Sequence, residues 1–188
     1  MRRIIRAFDA FLARALGVFE FTQEPDCLLR LQRSALRHSL ELPDSRFPEN
    51  TPVLAFHLWN ERVPPLPSGG PAFSWALRVT HQLALSFRMI ASHLAAEPEA
   101  DRPRAVGGVT VLGSASGSTA DVLAHLGFHA VAYRNPLGRF GEWWENAYTW
   151  ALMWAYNPAS LHGKRLGQLR RTEYWMSTPA FLKRFASP

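Results

Sequence analysis

Val53-Leu54-Ala55-Phe56-His57-Leu58-Trp59-Asn60-Glu61-Arg62 runs from an apolar stretch directly into side chains able to hold or change a ligand. Val53 to Leu58 is the right length for a buried strand and too short for a typical helix, with Pro52 before it and Pro64-Pro65 after. Side chains alternate across a sheet, so His57 and Trp59 share a face with Ala55 while Phe56 and Leu58 take the other. His57 therefore sits where a central strand leaves the core, a common place for a site. The competing reading is a core histidine that satisfies its hydrogen bonds locally.

The flanking residues extend this strand into a sheet. Leu28 to Leu42 is ambiguous between strand and helix, but the turns at Pro43-Asp44-Ser45 and Pro48-Glu49-Asn50 favour a small antiparallel meander leading into the 53–60 strand. After a Pro/Gly-rich loop, residues 71–96 form the longest expected helix, opened by Pro71 and ended by Pro98. Its apolar residues go nearly all round, which predicts the most buried helix of the chain. Arg78 and His81 interrupt that surface three residues apart, so an anion beside one also meets the other; an ordinary exposed pair is the alternative.

Ala105–Leu112, Ala120–Leu126 and Phe128–Tyr133 read as strand, short helix and strand, a β-α-β unit whose strands should run parallel. The intervening Gly113-Ser114-Ala115-Ser116-Gly117 offers hydroxyls and N–H groups to an anion, and equally supplies an ordinary helix cap. It is neither a Walker loop nor a Rossmann fingerprint. It also misses the Gly-x-Ser-x-Gly register, because Ser114 and Ser116 flank the centre. Arg134 and Asn135 end the second strand as His57 and Asn60 end the first, so the two ends converge if those strands are neighbours.

The segment from Leu137 to Tyr156 is an aromatic helix with more tryptophan than one buried face requires. A basic connection over 160–171, including Arg171, leads to a last strand at Thr172–Met176 and a helix opened by Ser177-Thr178-Pro179. At the other end of the chain, residues 2–19 are amphipathic. Ile4, Ile5, Phe8, Phe11, Leu12, Ala15, Leu16 and Phe19 lie on one side, and Arg2, Arg3, Arg6 and Arg14 elsewhere. Such a helix either lies on an anionic bilayer or packs its apolar face on protein.

Together these elements predict an α+β fold. The expected architecture is a mixed sheet of about five or six strands with packed helices, a peripheral amphipathic helix in residues 1–24, and one α+β domain over 25–188. The chain has 188 residues, seven Trp, 12 Phe and a formal charge of +6 carried almost wholly by arginine. Arginine suits phosphate or carboxylate. No basic run with interleaved aromatics, helix-turn-helix or RNP pattern points to nucleic acid. Cys27 has no partner for an internal disulfide, no Cys/His spacing suits a metal, and no cofactor motif is legible. No apolar stretch reaches spanning length and no secretory leader is evident, which points to a cytoplasmic protein, peripheral to the inner face of the membrane if it binds there.

The stretches LAFHLWNERVPPLPSGGPAFSWALR, GVTVLGS, LGFHAVAYRNPLGRFGEWWENAYTWALMWAY and LRRTEYWMSTPAFLKRF resemble the bacterial YkoP-like domain, which stands alone or follows a polysaccharide deacetylase. The resemblance implies a bacterial, envelope-linked setting, with envelope polysaccharide enzymes as partners, and it implies no mechanism. The deacetylase metal motif is missing from this chain.

Two functional expectations follow. One is a membrane-peripheral module for an anionic, lipid-linked or phosphorylated ligand, with Trp59, Asn60, Arg62, Arg78, His81, Ser114, Ser116, Arg134, Asn135 and Arg171 as candidate binding residues. The other is a transferase or hydrolase acting on such a ligand, with His57 as acid/base and Glu61 or Asp121 as its orienter. A scaffold or oligomerisation domain is the third possibility.

Overall fold

The structure, a computed structural model, describes residues 1–67, 73–111, 120–133, 135–161, 165–166, 169 and 171–186. The apolar run of the decisive stretch forms β5 (Pro52–Leu58), and the sheet is built on both sides of it. To one side lie β2 (Leu29–Ala35) and the edge strand β1 (Val18–Phe19), each antiparallel to its neighbour. To the other lie β6 (Ala105–Thr110), parallel to β5, then β8 (Thr172–Ser177) and β7 (His129–Ala132). The order is β1-β2-β5-β6-β8-β7, a six-stranded mixed sheet. The fold is α+β.

Several elements differ from the sequence expectation. The meander resolves into two parts: β2 joins the main sheet, whereas β3 (Leu40–Leu42) and β4 (Ser45–Phe47) form a separate hairpin. The β-α-β unit is split. β6 and β7 both pair antiparallel with β8, so they run parallel to each other with β8 inserted between them. The first helix is shorter than expected. Helix α1 (Arg2–Ala15) stops before Gly17, whose φ of 70° suits a residue without a Cβ, and the chain then turns into β1.

One face of the sheet is apolar. Leu31, Leu54, Phe56 and Val106 pack there against α2 (Phe73–Ala95) and α5 (Thr178–Phe185), with α3 (Ala120–His125) beside them. Phe87 is fully buried at the centre, and its ring lies 4.8–6.0 Å from those of Phe56, Phe128, Phe181 and Phe185. α5 begins where the sequence places it, with Ser177 accepting from the Ala180 N–H and Pro179 in the first turn. α2 is not buried all round. Val79, Leu83, Phe87, Ile90 and Leu94 face the sheet, but Phe73 and Leu77 in its first two turns are exposed.

The opposite face carries polar side chains. Arg30, Gln32, His57 and Glu173 project from it, and Trp175 lies against Gly107, where any Cβ would strike the indole and the Tyr174 carbonyl. The β3–β4 hairpin covers its Val53 and Ala105 end. Helix α4 (Gly138–Tyr156) crosses the other end. It is tied near β7 by Tyr133 to Glu145 and near β5 by Tyr156 to Glu61. Those anchors are 11 residues apart, about 16 Å along a helix, close to the roughly 14 Å that separates β7 from β5 across β8 and β6.

Candidate functional site

α4 and α1 together form a layer over the carboxyl ends of β5, β6 and β7. Two tyrosines hold α1 in place. Tyr148 Oη donates to Asp9 Oδ1 at 2.6 Å, and Tyr156 Oη lies 3.2 Å from both Asp9 Oδ2 and Glu61 Oε1. Burial and these carboxylates push the Tyr148 and Tyr156 hydroxyls well above the ordinary phenol value, so both stay protonated donors. Arg6 donates to the Ala155 carbonyl and lies over the Tyr156 ring, and Arg2 lies over Trp154. Asp9 is the one acid between Met1 and Phe19.

This docking fixes which side of α1 faces water. Asp9, Arg2 and Arg6 turn towards α4, and no residue of α1 is buried. In the stripe at i, i+4 and i+7, Ile4 and Phe11 therefore point outward, with 71% and 63% of their surface exposed, while Phe8 between them is 43% exposed and sets its ring edge-on to Tyr148 at 6.1 Å. Met1 and Leu16 are also exposed, and the cationic Arg3 and Arg14 stand in solvent beside the stripe. The first turns of α4 continue the pattern. Leu137, Phe140, Trp143 and Trp144 are all more than half exposed, with Phe140 stacked on Trp143. A folded chain seldom leaves so many large apolar groups in water without a use.

The strand-end residues are largely committed to one another. His57 Nε2 lies 2.8 Å from Gln32 Oε1, and Gln32 Nε2 donates to the Leu16 carbonyl at 2.7 Å. Because that amide oxygen can only accept, the His57 proton sits on Nε2, and burial lowers the pKa and keeps the ring neutral. Glu61 does not orient His57. It pairs with Arg30 at 3.4 Å and meets Tyr156. Trp59 is buried beneath two guanidinium groups, Arg30 at 4.4 Å and Arg62 at 3.4 Å from its ring centroid. Arg62 also donates to the Glu24 and Cys27 carbonyls, and Asn60 is half-buried in the same turn.

The other candidates are dispersed. Asn135 accepts from the Leu137 N–H at 2.8 Å and donates to Tyr133, an arrangement that opens α4. Arg171 spends its guanidinium on Asn146, Thr149 and Glu145 of α4. The β5 and β7 ends share one end of the sheet but are not neighbours, because β6 and β8 lie between them. Arg78 and His81 are exposed on α2, across the sheet from His57. Ser114, Ser116, Arg134 and the Asp121 side chain lie outside the described residues.

Sequence reasoning missed Asp9, Tyr148 and Tyr156, which set the orientation of α1, and Arg30 and Gln32, which occupy Trp59 and His57. A single acid inside a cationic amphipathic helix was the available signal for Asp9. Among the described residues no helix is long and apolar enough to cross a membrane. Comparison with known proteins returns no matching family model, no matching curated protein and no matching solved structure.

Proposed function

We propose that this chain is a membrane-peripheral module that seats α1 and the first turns of α4 on an anionic lipid surface at the inner face of the membrane. One observation carries the reading: Ile4 and Phe11 face solvent, with Phe8 part exposed between them, because Asp9 anchors the opposite side of the helix to Tyr148 and Tyr156. A helix whose role is to complete the core turns its apolar side inward.

The magnitudes suit reversible binding. Inserting the exposed parts of Ile4, Phe8 and Phe11 is worth about 3–5 kcal/mol at 1.5–3 kcal/mol per fully buried side chain. Each arginine near an anionic surface adds about 1 kcal/mol. Trp143 and Trp144 have the amphipathic rings that favour the head-group level. The YkoP-like resemblance, with its envelope setting, is in keeping with this placement.

Sedimentation with vesicles tests it. Binding to phosphatidylglycerol vesicles, weakening as salt rises and far weaker on phosphatidylcholine, is expected. Equal recovery with both lipids, or none with either, contradicts the proposal.

A further inference from the structure

The two edges of the main sheet are finished differently. β1 is two half-buried residues, its Phe19 ring lies with Phe21 against His93, and the exposed end of β2 behind it carries Arg33, paired to Glu97. A short edge strand and a charged side chain are common protections against pairing with another chain. β7 carries no such charge. Its sequence His-Ala-Val-Ala holds no lysine, arginine, acid or proline, and His129, Ala130 and Ala132 are exposed. Among the described residues its backbone pairs with β8 alone. Every second residue of such a strand turns its N–H and C=O away from the ladder, open to a further strand.

The side chains of β7 suit a second copy of the same strand. Opposed residues of an antiparallel pair share a face, so a two-fold axis must pass beside one residue rather than between two. An axis beside Val131 sets Val131 against Val131, Ala130 against Ala132 and His129 against Tyr133. The exposed alanines leave room on one face. On the other, each His129 meets an aromatic ring whose hydroxyl donates to Glu145 at 2.7 Å, so an imidazole stands opposite a ring and its bound carboxylate. A second copy brings this match twice, and no like charges are opposed.

We propose that the chain dimerises through β7, antiparallel and in this register, joining two six-stranded sheets into one. The two-fold axis is then normal to the sheet and keeps each face on its own side. The α1–α4 layers of both copies therefore lie on the same side. On the membrane reading of that layer the dimer is bivalent for a vesicle, but the dimer itself does not rest on that reading.

Analytical ultracentrifugation of the full chain tests this. Because the interface is short and the dimer weak, the measurement spans roughly 10 µM to 1 mM. A mass rising from 21.2 kDa towards twice that value is expected. Ala130→Lys with Ala132→Lys sets like charges directly opposite each other and should weaken the dimer at least tenfold, whereas Ala130→Lys with Ala132→Glu sets opposite charges there and should restore it. Both positions are exposed, so the unfolding midpoint of either variant should stay near that of the wild type. A monomer at every concentration, an undiminished dimer of the Lys/Lys variant, or a Lys/Glu variant no stronger than Lys/Lys overturns the proposal. Vesicle binding absent from all three proteins, with this sedimentation pattern intact, contradicts the membrane reading and supports the dimer.

Discussion

The two faces of the sheet use opposite means to hold their helices. α2 and α5 are held by a phenylalanine cluster around the fully buried Phe87, whereas α1 is held by a carboxylate, two tyrosine hydroxyls and two stacked arginines, with no buried residue of its own. Apolar burial is non-directional and consumes the apolar side of a helix. Hydrogen bonds are directional and weaker in net terms, and they leave Ile4 and Phe11 of α1 in water while Ile5 and Leu12 are only half-buried. The difference separates a helix that builds the fold from one that the fold displays.

The largest effect should come from the apolar face. Phe87→Ala should cost about 3–5 kcal/mol in urea unfolding, as for other large-to-small changes in a packed core. Vesicle binding per folded molecule should stay unchanged. If binding fell in proportion to stability, the two faces would not be independent.

A smaller effect is expected on the displayed side. Ile4→Ser combined with Phe11→Ser should weaken binding to phosphatidylglycerol vesicles about 30–300-fold, the loss of roughly 2–3.4 kcal/mol of transfer energy. The unfolding midpoint should barely move, because exposed substitutions usually stay within about 0.5 kcal/mol. A large loss of stability would mean that the stripe packs on protein.

Asp9→Ala sharpens the contrast further. Removing the acceptor of two tyrosine hydroxyls should cost about 1–2 kcal/mol. The loss should be local, seen as faster amide exchange over Arg2–Ala15 with β5 and α2 still protected.

The smallest effect concerns His57. Burial lowers its pKa below the ordinary 6.5, so below pH 6.5 the unfolded chain takes up a proton that the folded chain resists. Its contribution to stability is present above pH 6.5 and is lost as pH falls through the folded value. His57→Gln should flatten the stability–pH curve in that window, as followed by thermal unfolding.

Much of this fold was legible because its signals are local. The run Val53 to Leu58 between prolines, the Ser177-Thr178-Pro179 helix start and the long helix after Pro71 each depend on neighbouring residues, and each element formed. The insertion of β8 between β6 and β7 was not legible, since pairing of Glu173 with Val109 and Val131 joins segments distant in sequence.

The candidate site was less legible for the same reason. Trp59 and Arg62 have the side chains of a ligand site, yet the fold stacks one on the other. The stripe of α1 was visible by periodicity, but its direction depends on Tyr148 and Tyr156, far along the chain.

The most direct measurement is tryptophan fluorescence of a Phe11→Trp variant against the wild type, on phosphatidylglycerol vesicles with brominated acyl chains. The added indole should emit further to the blue on vesicle binding and be quenched by the bromines beyond the wild-type signal. An added emission that is the same with and without vesicles would contradict the placement of α1 on the lipid surface.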